Sequence, residues 1–185
     1  ELIRQGELVA FPTETVYGLG ANAFNVNAVK NSYSAKGRPS DNPLIVHVYD
    51  KSQIYDIARE VSSDAEKIID SLLPASLTIV LPKRDVIDDC ITAGLDTVAI
   101  RMPLSVQARK FLRYANVPVT APSANLSGRP SPTTWQRVAE DLDGRIAAVL
   151  CGQPCGVGIE STVLDLSRDE PLILRPGIVT PQEIQ

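Results

Sequence analysis

The chain has 185 residues, of which 44% are hydrophobic and 22% are charged, and its formal net charge is −4. This composition is typical of one folded globular domain and excludes a fibrous or disordered protein. No apolar run approaches the roughly 20 residues of a membrane span, and an acidic chain is not coated with positive charge for nucleic acid. The start, Glu1-Leu2-Ile3-Arg4, lacks a secretory signal pattern, so we expect a cytoplasmic protein.

Short apolar runs predict strands, and helical patterns separate many of them. The predicted strands are 8–11, 44–48, 77–81, 98–101, 117–120, 147–150, 162–166 and 172–174. The predicted helices are 26–34, 52–58, 63–72, 105–114, 132–142 and a last one that begins at Thr180-Pro181. Because the third and fourth strands are joined without a clear helix, we expect an α/β fold with a twisted mixed sheet, in a single domain over 1–185.

Four polar segments lie at the ends of predicted strands, where open α/β sheets usually bind ligands. They are 11–20, 36–43, 121–128 with 131–133, and 156–162. In the second segment, Lys36 and Arg38 flank a glycine in a stretch that is too rich in Gly, Pro, Ser and Asn to be helical. An ammonium and a guanidinium can hold a polyphosphate through point charge and bidentate hydrogen bonds, although a solvated surface turn is the plain alternative.

The basic residues are unevenly distributed. No acidic residue occurs between Asp96 and Glu140, whereas six basic residues do: Arg101, Arg109, Lys110, Arg113, Arg129 and Arg137. If this segment lines a cleft, an acidic protein could still hold a strongly anionic ligand there. Solvated helix faces are the alternative, and we expect that role for the three residues in the predicted helix 105–114.

Several kinds of active site are disfavoured. The sequence has neither a P-loop nor a Gly-x-Gly-x-x-Gly fingerprint after the first strand. The cysteines Cys90, Cys151 and Cys155 fit no zinc framework, and we expect them to pack structurally. The single histidine, His47, lacks the motif of a Ser-His-Asp triad, so covalent catalysis is disfavoured and no metal ligand is assigned.

Some polar residues have two open interpretations. Glu14 could be a general base, or its carboxylate could cap neighbouring backbone donors. Ser131 could be an N-cap with a proline at the first helical position. His47 by default is a core imidazole, and Trp135 is expected in the core because Val138 and Leu142 follow it at helical spacing.

Seven ordered motifs, spread over nearly the whole chain, together resemble the YrdC-like family of threonylcarbamoyl-AMP synthases. They are 12–19, 36–38, 42–45, 97–101, 121–125, 160–162 and 174–177, which read PTETVYGL, KGR, NPLI, TVAIR, APSAN, EST and LRPG. The resemblance implies a YrdC/RibB-like twisted α/β sheet with a large concave cavity. It also implies a reaction in which L-threonine, bicarbonate or carbon dioxide, and ATP give threonylcarbamoyl-AMP and diphosphate.

The resemblance also implies roles for individual residues. Lys36 and Arg38 would be catalytic and hold the ATP phosphates, and Mg²⁺ would accompany the nucleotide. The other residues of the implied ATP site are Asn42, Thr97, Ser123, Asn125, Ser131 and Arg175. The implied threonine site comprises Thr15, His47, Arg101, Ala121 and Ser161, with Arg101 pairing with the carboxylate.

The resemblance implies partners as well. The product would feed a transferase that modifies the adenosine beside the anticodon of tRNAs, and direct binding of tRNA or double-stranded RNA is conceivable. A non-catalytic RNA-binding module and a carbamoyl-adenylate-forming domain of the hydrogenase-maturation type are the alternatives. Some family members have a further carboxy-terminal domain, and the sequence leaves open whether one follows here.

Overall fold

The computed structural model describes residues 1–184, which form a mixed sheet flanked by helices. The strands are β1 Val9–Pro12, β2 Tyr17–Asn22, β3 Ile45–His47, β4 Leu77–Pro82, β5 Thr97–Arg101, β6 Val119–Thr120, β7 Ala148–Val149, β8 Thr162–Asp165 and β9 Leu172–Arg175. The helices are α1 Val26–Lys36, α2 Ser52–Ile57, α3 Ser63–Leu72, α4 Asp89–Thr92, α5 Val106–Ala115, α6 Trp135–Leu142 and α7 Pro181–Ile184.

The nine strands lie in the order β7-β1-β2-β6-β3-β5-β4-β8-β9. The pairs β1–β7, β3–β5 and β4–β8 are parallel, and the other neighbours are antiparallel. The predicted mixed sheet is therefore confirmed, including the antiparallel pairing of β4 with β5. None of the helices within residues 1–184 combines the length and the apolar content needed to cross a membrane.

The strand β2 was not predicted. Its sequence, YGLGAN, lacks β-branched residues, and its first four residues lie within the polar segment 11–20. Gly20 explains part of this composition, because a Cβ at this position would lie 2.9 Å from the carbonyl oxygen of Val9 on the paired strand β1. Close pairing of the two backbones thus selects a glycine that weakens the usual strand pattern.

Two helix boundaries differ from the prediction by two or more residues, and both concern candidate site residues. Helix α1 extends through Lys36 and ends at Gly37, whose φ of 60° provides a left-handed cap, so the non-helical interpretation of Lys36 is wrong. Helix α6 begins at Trp135, so Ser131 is not its N-cap. The carbonyl of Pro132 instead accepts a hydrogen bond of 2.8 Å from the backbone N–H of Tyr17, which holds this segment against the start of β2.

The hydrophobic core determines which sheet face carries the site. Helices α2 and α3 pack on one face of β3, β4 and β5, where Val46, Ile79 and Ile100 are fully buried. Because side chains alternate along a strand, the neighbouring residues His47 and Arg101 lie on the opposite face. Polar groups are thereby collected on the sheet face that these two helices do not cover.

Trp135 does not lie in the core. It is 37% exposed, whereas Val138 and Leu142 on the same helix are fully buried. Trp135 is the first residue of α6, so its side chain lies at the end of the packed face rather than within it. The prediction that Trp135 lies in the core was therefore wrong, whereas Val138 and Leu142 do lie in the core as predicted.

Candidate active site

Two adjoining hollows lie on the sheet face opposite α2 and α3. The first, which we call the inner cavity, has a volume of about 210 Å³ and lies between β3, β5, the segment after β6 and the segment before β8. The second, which we call the outer cleft, has a volume of about 680 Å³. Arg38, Pro43, Ile45 and Arg175 line both hollows, so the two form a continuous depression.

Most of the candidate residues line these hollows. In the inner cavity they are Arg38, His47, Arg101, Ala121, Ser123, Ser161 and Arg175. In the outer cleft they are Arg38, Asn42, Thr97 and Arg175. These candidate residues combine positive charge with neutral polar groups, which suits an anionic ligand that also carries polar substituents. The walls also include three carboxylates, Glu160 in the inner cavity and Asp96 and Asp165 in the outer cleft.

Four candidate residues lie outside both linings: Thr15, Lys36, Asn125 and Ser131. Thr15 is fully buried, and its hydroxyl lies 2.9 Å from that of Thr13. Ser131 lies in a neighbouring hollow and donates a hydrogen bond of 2.8 Å to Glu160, which does line the inner cavity. Direct contact with a ligand remains a prediction for these four.

Lys36 is buried and has several hydrogen-bond partners. Its Nζ donates to the carbonyl oxygens of Ser123 and Asn125, the latter at 2.6 Å. Burial, and then the charge of Arg38, lower the pKa of Lys36 to about 8. In this arrangement Lys36 holds the segment after β6, which forms one wall of the inner cavity.

Arg38 is only half-buried and has weaker contacts. Its guanidinium carbon lies 5.8 Å from the centre of the Tyr33 ring, and its Nη2 lies 3.4 Å from the carbonyl oxygen of Asn42. Its donors are therefore largely free to bind an anion at the junction of the inner cavity and the outer cleft.

Arg101 is held by a buried ion pair. Its Nη2 contacts Glu14 Oε1, and only 5% of the Arg101 side chain and 13% of the Glu14 side chain are exposed. Burial alone would raise the pKa of Glu14, but the charge of Arg101 and the N–H of Ser105 outweigh it and lower that pKa. Glu14 is therefore an ionised partner and backbone cap, which favours the capping interpretation over the general base.

His47 is a neutral imidazole. Burial, and then the charge of Arg101, lower its pKa to about 3. Its Nδ1 lies 3.3 Å from the carbonyl oxygen of Ile45, which can only accept, so Nδ1 carries the proton and Nε2 is an acceptor. His47 combines both interpretations given to it, because it is buried and also lines the inner cavity.

A hydroxyl network connects β4 to the far wall of the cavity. Ser161 Oγ lies 2.7 Å from the hydroxyl of Thr78, and the Ser161 carbonyl oxygen accepts from Arg175 Nε at 3.1 Å and Nη2 at 2.9 Å. Sequence reasoning missed Thr78, which pairs in register with Arg101 of the neighbouring strand. A buried threonine in an otherwise apolar strand was the available signal.

The basic residues between Asp96 and Glu140 do not form one wall. Of the six, only Arg101 lines either hollow, while Arg129 pairs with Asp141 and Arg137 pairs with Glu140. The segment therefore does not line one side of the cleft, and the alternative of solvated helix faces holds for Lys110 and Arg113, which are exposed on α5. Positive charge in the inner cavity comes from Arg38, Arg101 and Arg175, which lie far apart in sequence.

Within residues 1–184, no group of three or more histidine, cysteine or carboxylate residues could hold a metal ion. Burial raises the pKa of Cys90 to about 12 and of Cys155 to about 11, so both thiols are protonated and unreactive at neutral pH. Cys151 is exposed, contrary to the expected packing role. The described site therefore contains charged anchors and hydrogen-bond donors rather than a metal cage or a reactive thiol.

Comparisons with known proteins identify the family of this chain. A family model named Sua5_yciO_yrdC and described as "Telomere recombination" matches residues 1–177. The threonylcarbamoyl-AMP synthase of Bacillus subtilis is 54% identical over 185 residues, which are all of this chain and 54% of that protein. The threonylcarbamoyl-AMP synthase of Pyrococcus abyssi is 51% identical over 183 residues, which are 99% of this chain and 54% of that protein.

A crystal structure of Pyrococcus abyssi Sua5 complexed with L-threonine is also similar. It superimposes with a TM-score of 0.93 at 52% identity, covering 95% of this chain and 52% of that one. The chain thus spans about half the length of these relatives. The match over residues 1–177, together with the α/β fold, shows that the chain belongs to the Sua5/YciO/YrdC family.

Proposed function

We propose that this chain carries the catalytic domain of a threonylcarbamoyl-AMP synthase. The observation that carries the proposal is the convergence of Arg38, Arg101 and Arg175 with His47 and Ser161 on the inner cavity. Relatives that are 54% and 51% identical over this domain carry the name of that enzyme, and the similar Pyrococcus abyssi structure is a complex with L-threonine.

The proposed substrates divide the depression between them. L-Threonine occupies the inner cavity, with its carboxylate at Arg101 and with His47 and Ser161 nearby. ATP occupies the outer cleft, with its phosphates at Arg38 and Arg175, where the two hollows join. A volume of about 210 Å³ suits an amino acid, and the larger outer cleft of about 680 Å³ suits a nucleotide.

The proposed reaction needs alignment rather than a protein nucleophile. Bicarbonate takes up a proton and loses water to give carbon dioxide. The threonine amine forms an N–C bond to this carbon dioxide and releases one proton to water, which gives a carbamate. A carbamate oxygen then bonds to the α-phosphorus of ATP, while the bond to the bridging oxygen breaks and diphosphate leaves with that electron pair. The guanidinium groups hold the anions and stabilise the charge that develops at phosphorus.

Magnesium enters the proposal as part of the substrate MgATP. The described residues provide no carboxylate cage, and Mg²⁺ commonly binds substrate phosphates while it keeps several waters. The product, a mixed anhydride, would be consumed by an enzyme that transfers its threonylcarbamoyl group to tRNA. Direct contact of this chain with RNA stays a prediction that can be tested separately.

The test is diphosphate release from MgATP and bicarbonate, with and without L-threonine, and with L-serine and carbamoyl phosphate as comparison substrates. We expect release only when threonine and bicarbonate are both present. Release that depends on carbamoyl phosphate would instead identify a carbamoyl-adenylate-forming domain. Binding of tRNA without any release of diphosphate would favour the RNA-binding alternative.

A further inference from the structure

The ion pair behind the inner cavity joins Arg101 to Glu14. Glu14 lies in the turn between β1 and β2 and does not line the cavity. Its carboxylate is nevertheless largely buried, with 13% of the side chain exposed. Burial of a carboxylate is unfavourable unless its oxygens are paired, so the partners of Glu14 indicate what the group is for.

The partners of Glu14 come from three separate parts of the fold. Its Oε1 contacts Arg101 Nη2 on β5 and accepts a hydrogen bond of 3.0 Å from the Ser76 hydroxyl just before β4. Its Oε2 accepts a hydrogen bond of 3.0 Å from the backbone N–H of Ser105, the N-cap residue of α5. Both carboxylate oxygens are thus engaged, and one of them fixes the guanidinium of Arg101.

Arg101 depends on this contact for its orientation. Among residues 1–184, Glu14 is its only salt-bridge partner, and its buried Nε has no hydrogen-bond partner. Without the Glu14 carboxylate, the buried guanidinium would need another counter-charge or a different rotamer. With one nitrogen held by Glu14, the rest of the planar group keeps a fixed direction toward the inner cavity, which Arg101 lines.

We propose that Glu14 is a positioning residue that orients Arg101 to receive the carboxylate of an α-amino acid in the inner cavity. The inference rests on the proposed function, because it assumes that Arg101 meets that carboxylate. Glu14 acts through Arg101 and touches no substrate. Its effect is therefore confined to ligands that carry a carboxylate charge.

Glu14→Gln removes the charge with little change of shape, and it keeps one oxygen that can accept from Ser105. Ser76→Ala is the matched control, because it removes the neutral hydrogen bond to the same oxygen and leaves the ion pair. Calorimetry on the 185-residue chain would measure binding of L-threonine, of L-threonine amide, which lacks the carboxylate charge, and of MgATP. The melting temperature of each variant would be measured alongside.

We expect Glu14→Gln to weaken binding of L-threonine about tenfold or more, as is typical when a charge-assisted contact is lost. Binding of the amide and of MgATP should stay within about twofold of wild type, and Ser76→Ala should bind L-threonine nearly as wild type does. A loss of affinity that is confined to L-threonine distinguishes positioning from a general loosening of the fold. General loosening would weaken the binding of all three ligands.

Unchanged or tighter binding of L-threonine by Glu14→Gln would overturn the positioning role, since tighter binding would mean that Glu14 merely offsets the charge of Arg101. If Glu14→Gln does not fold, Glu14→Asp keeps the charge but shortens the reach, and it should show the same selective loss. Equal threonine binding by Glu14→Asp would overturn the role. A wild-type chain that binds no L-threonine would overturn the proposed function itself, which distinguishes the two failures.

Discussion

Lys36 Nζ donates a hydrogen bond of 2.6 Å to the carbonyl oxygen of Asn125, 89 positions further along the chain. The same nitrogen also donates to the carbonyl oxygen of Ser123. The end of α1 is thereby tied to the segment that follows β6. Both segments carry residues that the sequence predicts to bind ATP, so one buried ammonium fixes the distance between these segments.

Lys36→Ala and Arg38→Ala should both reduce threonine-dependent diphosphate release at least about hundredfold, because Arg38→Ala removes a guanidinium from the proposed phosphate site and Lys36→Ala removes the buried ammonium that holds the segment after β6. Only Lys36→Ala should also lower the free energy of unfolding, by about 1–3 kcal/mol, since it leaves buried carbonyl oxygens without their donor. Arg38 is half-buried with one long hydrogen bond, so its removal should leave stability within about 0.5 kcal/mol. Urea unfolding and diphosphate assays measure the two effects; full release by both variants would contradict the phosphate assignment.

The binding of MgATP should weaken as the pH rises through about 8. The buried Lys36 has its pKa lowered to about 8, so its charge is present below that pH and is lost above it. Affinity should then fall by up to about tenfold per pH unit, and calorimetry between pH 6.5 and 9.5 would measure it. Arg38→Ala provides the control, because the charge of Arg38 helps to lower this pKa and the midpoint should move to higher pH. A flat profile in the wild-type chain would argue against a role for the Lys36 charge.

The sequence predicts elements well where one local signal dominates. Helix α3 occupies the predicted 63–72, because Ser62 caps it by accepting from the N–H of Ala65 and because its apolar residues recur on one face. Strand β2 was missed because Gly18 and Gly20 also lie against the side chains of Ala121 and Val119, about 100 positions further along the chain, which only the folded sheet brings near. The pattern of residues within one segment cannot predict a residue choice that depends on contact with a segment far away in the sequence.

The site also has residues that the sequence predicts and contacts that it does not predict. Ordered motifs identified Arg38, His47, Arg101 and Arg175, which the fold brings to one cavity. The contact between Glu14 and Arg101 joins residues 87 positions apart, and nothing in either segment predicts it. Such pairs depend on the register of β4, β5 and the β1–β2 turn, which is a property of the assembled sheet.

The stability of the chain should decrease as the pH is lowered from about 6.5 to 5. In the unfolded chain His47 binds a proton near pH 6.5, whereas in the folded chain burial lowers its pKa to about 3. Between these values the unfolded state binds more protons, so the free energy of unfolding should fall by about 2 kcal/mol from pH 6.5 to pH 5 and stay level above pH 6.5. Because His47 is the only histidine, His47→Gln should flatten this slope in urea unfolding series. An equal slope in the variant would assign the acid sensitivity to other groups.

Gly177 should tolerate no side chain, because the chain after β9 passes directly beside the wall of the inner cavity. A Cβ at Gly177 would collide with the backbone nitrogen of Thr162 and lie 2.8 Å from the carbonyl carbon of Ser161. We expect Gly177→Ala to lower the free energy of unfolding by about 1–3 kcal/mol and to weaken L-threonine binding, since relief of the clash must displace Ser161. Gly156→Ala is the matched control in the same region, because a Cβ there meets no atom within 4 Å. Wild-type stability together with wild-type threonine affinity in Gly177→Ala would mean that Ser161 can move without consequence, and would remove that residue from the proposed threonine site.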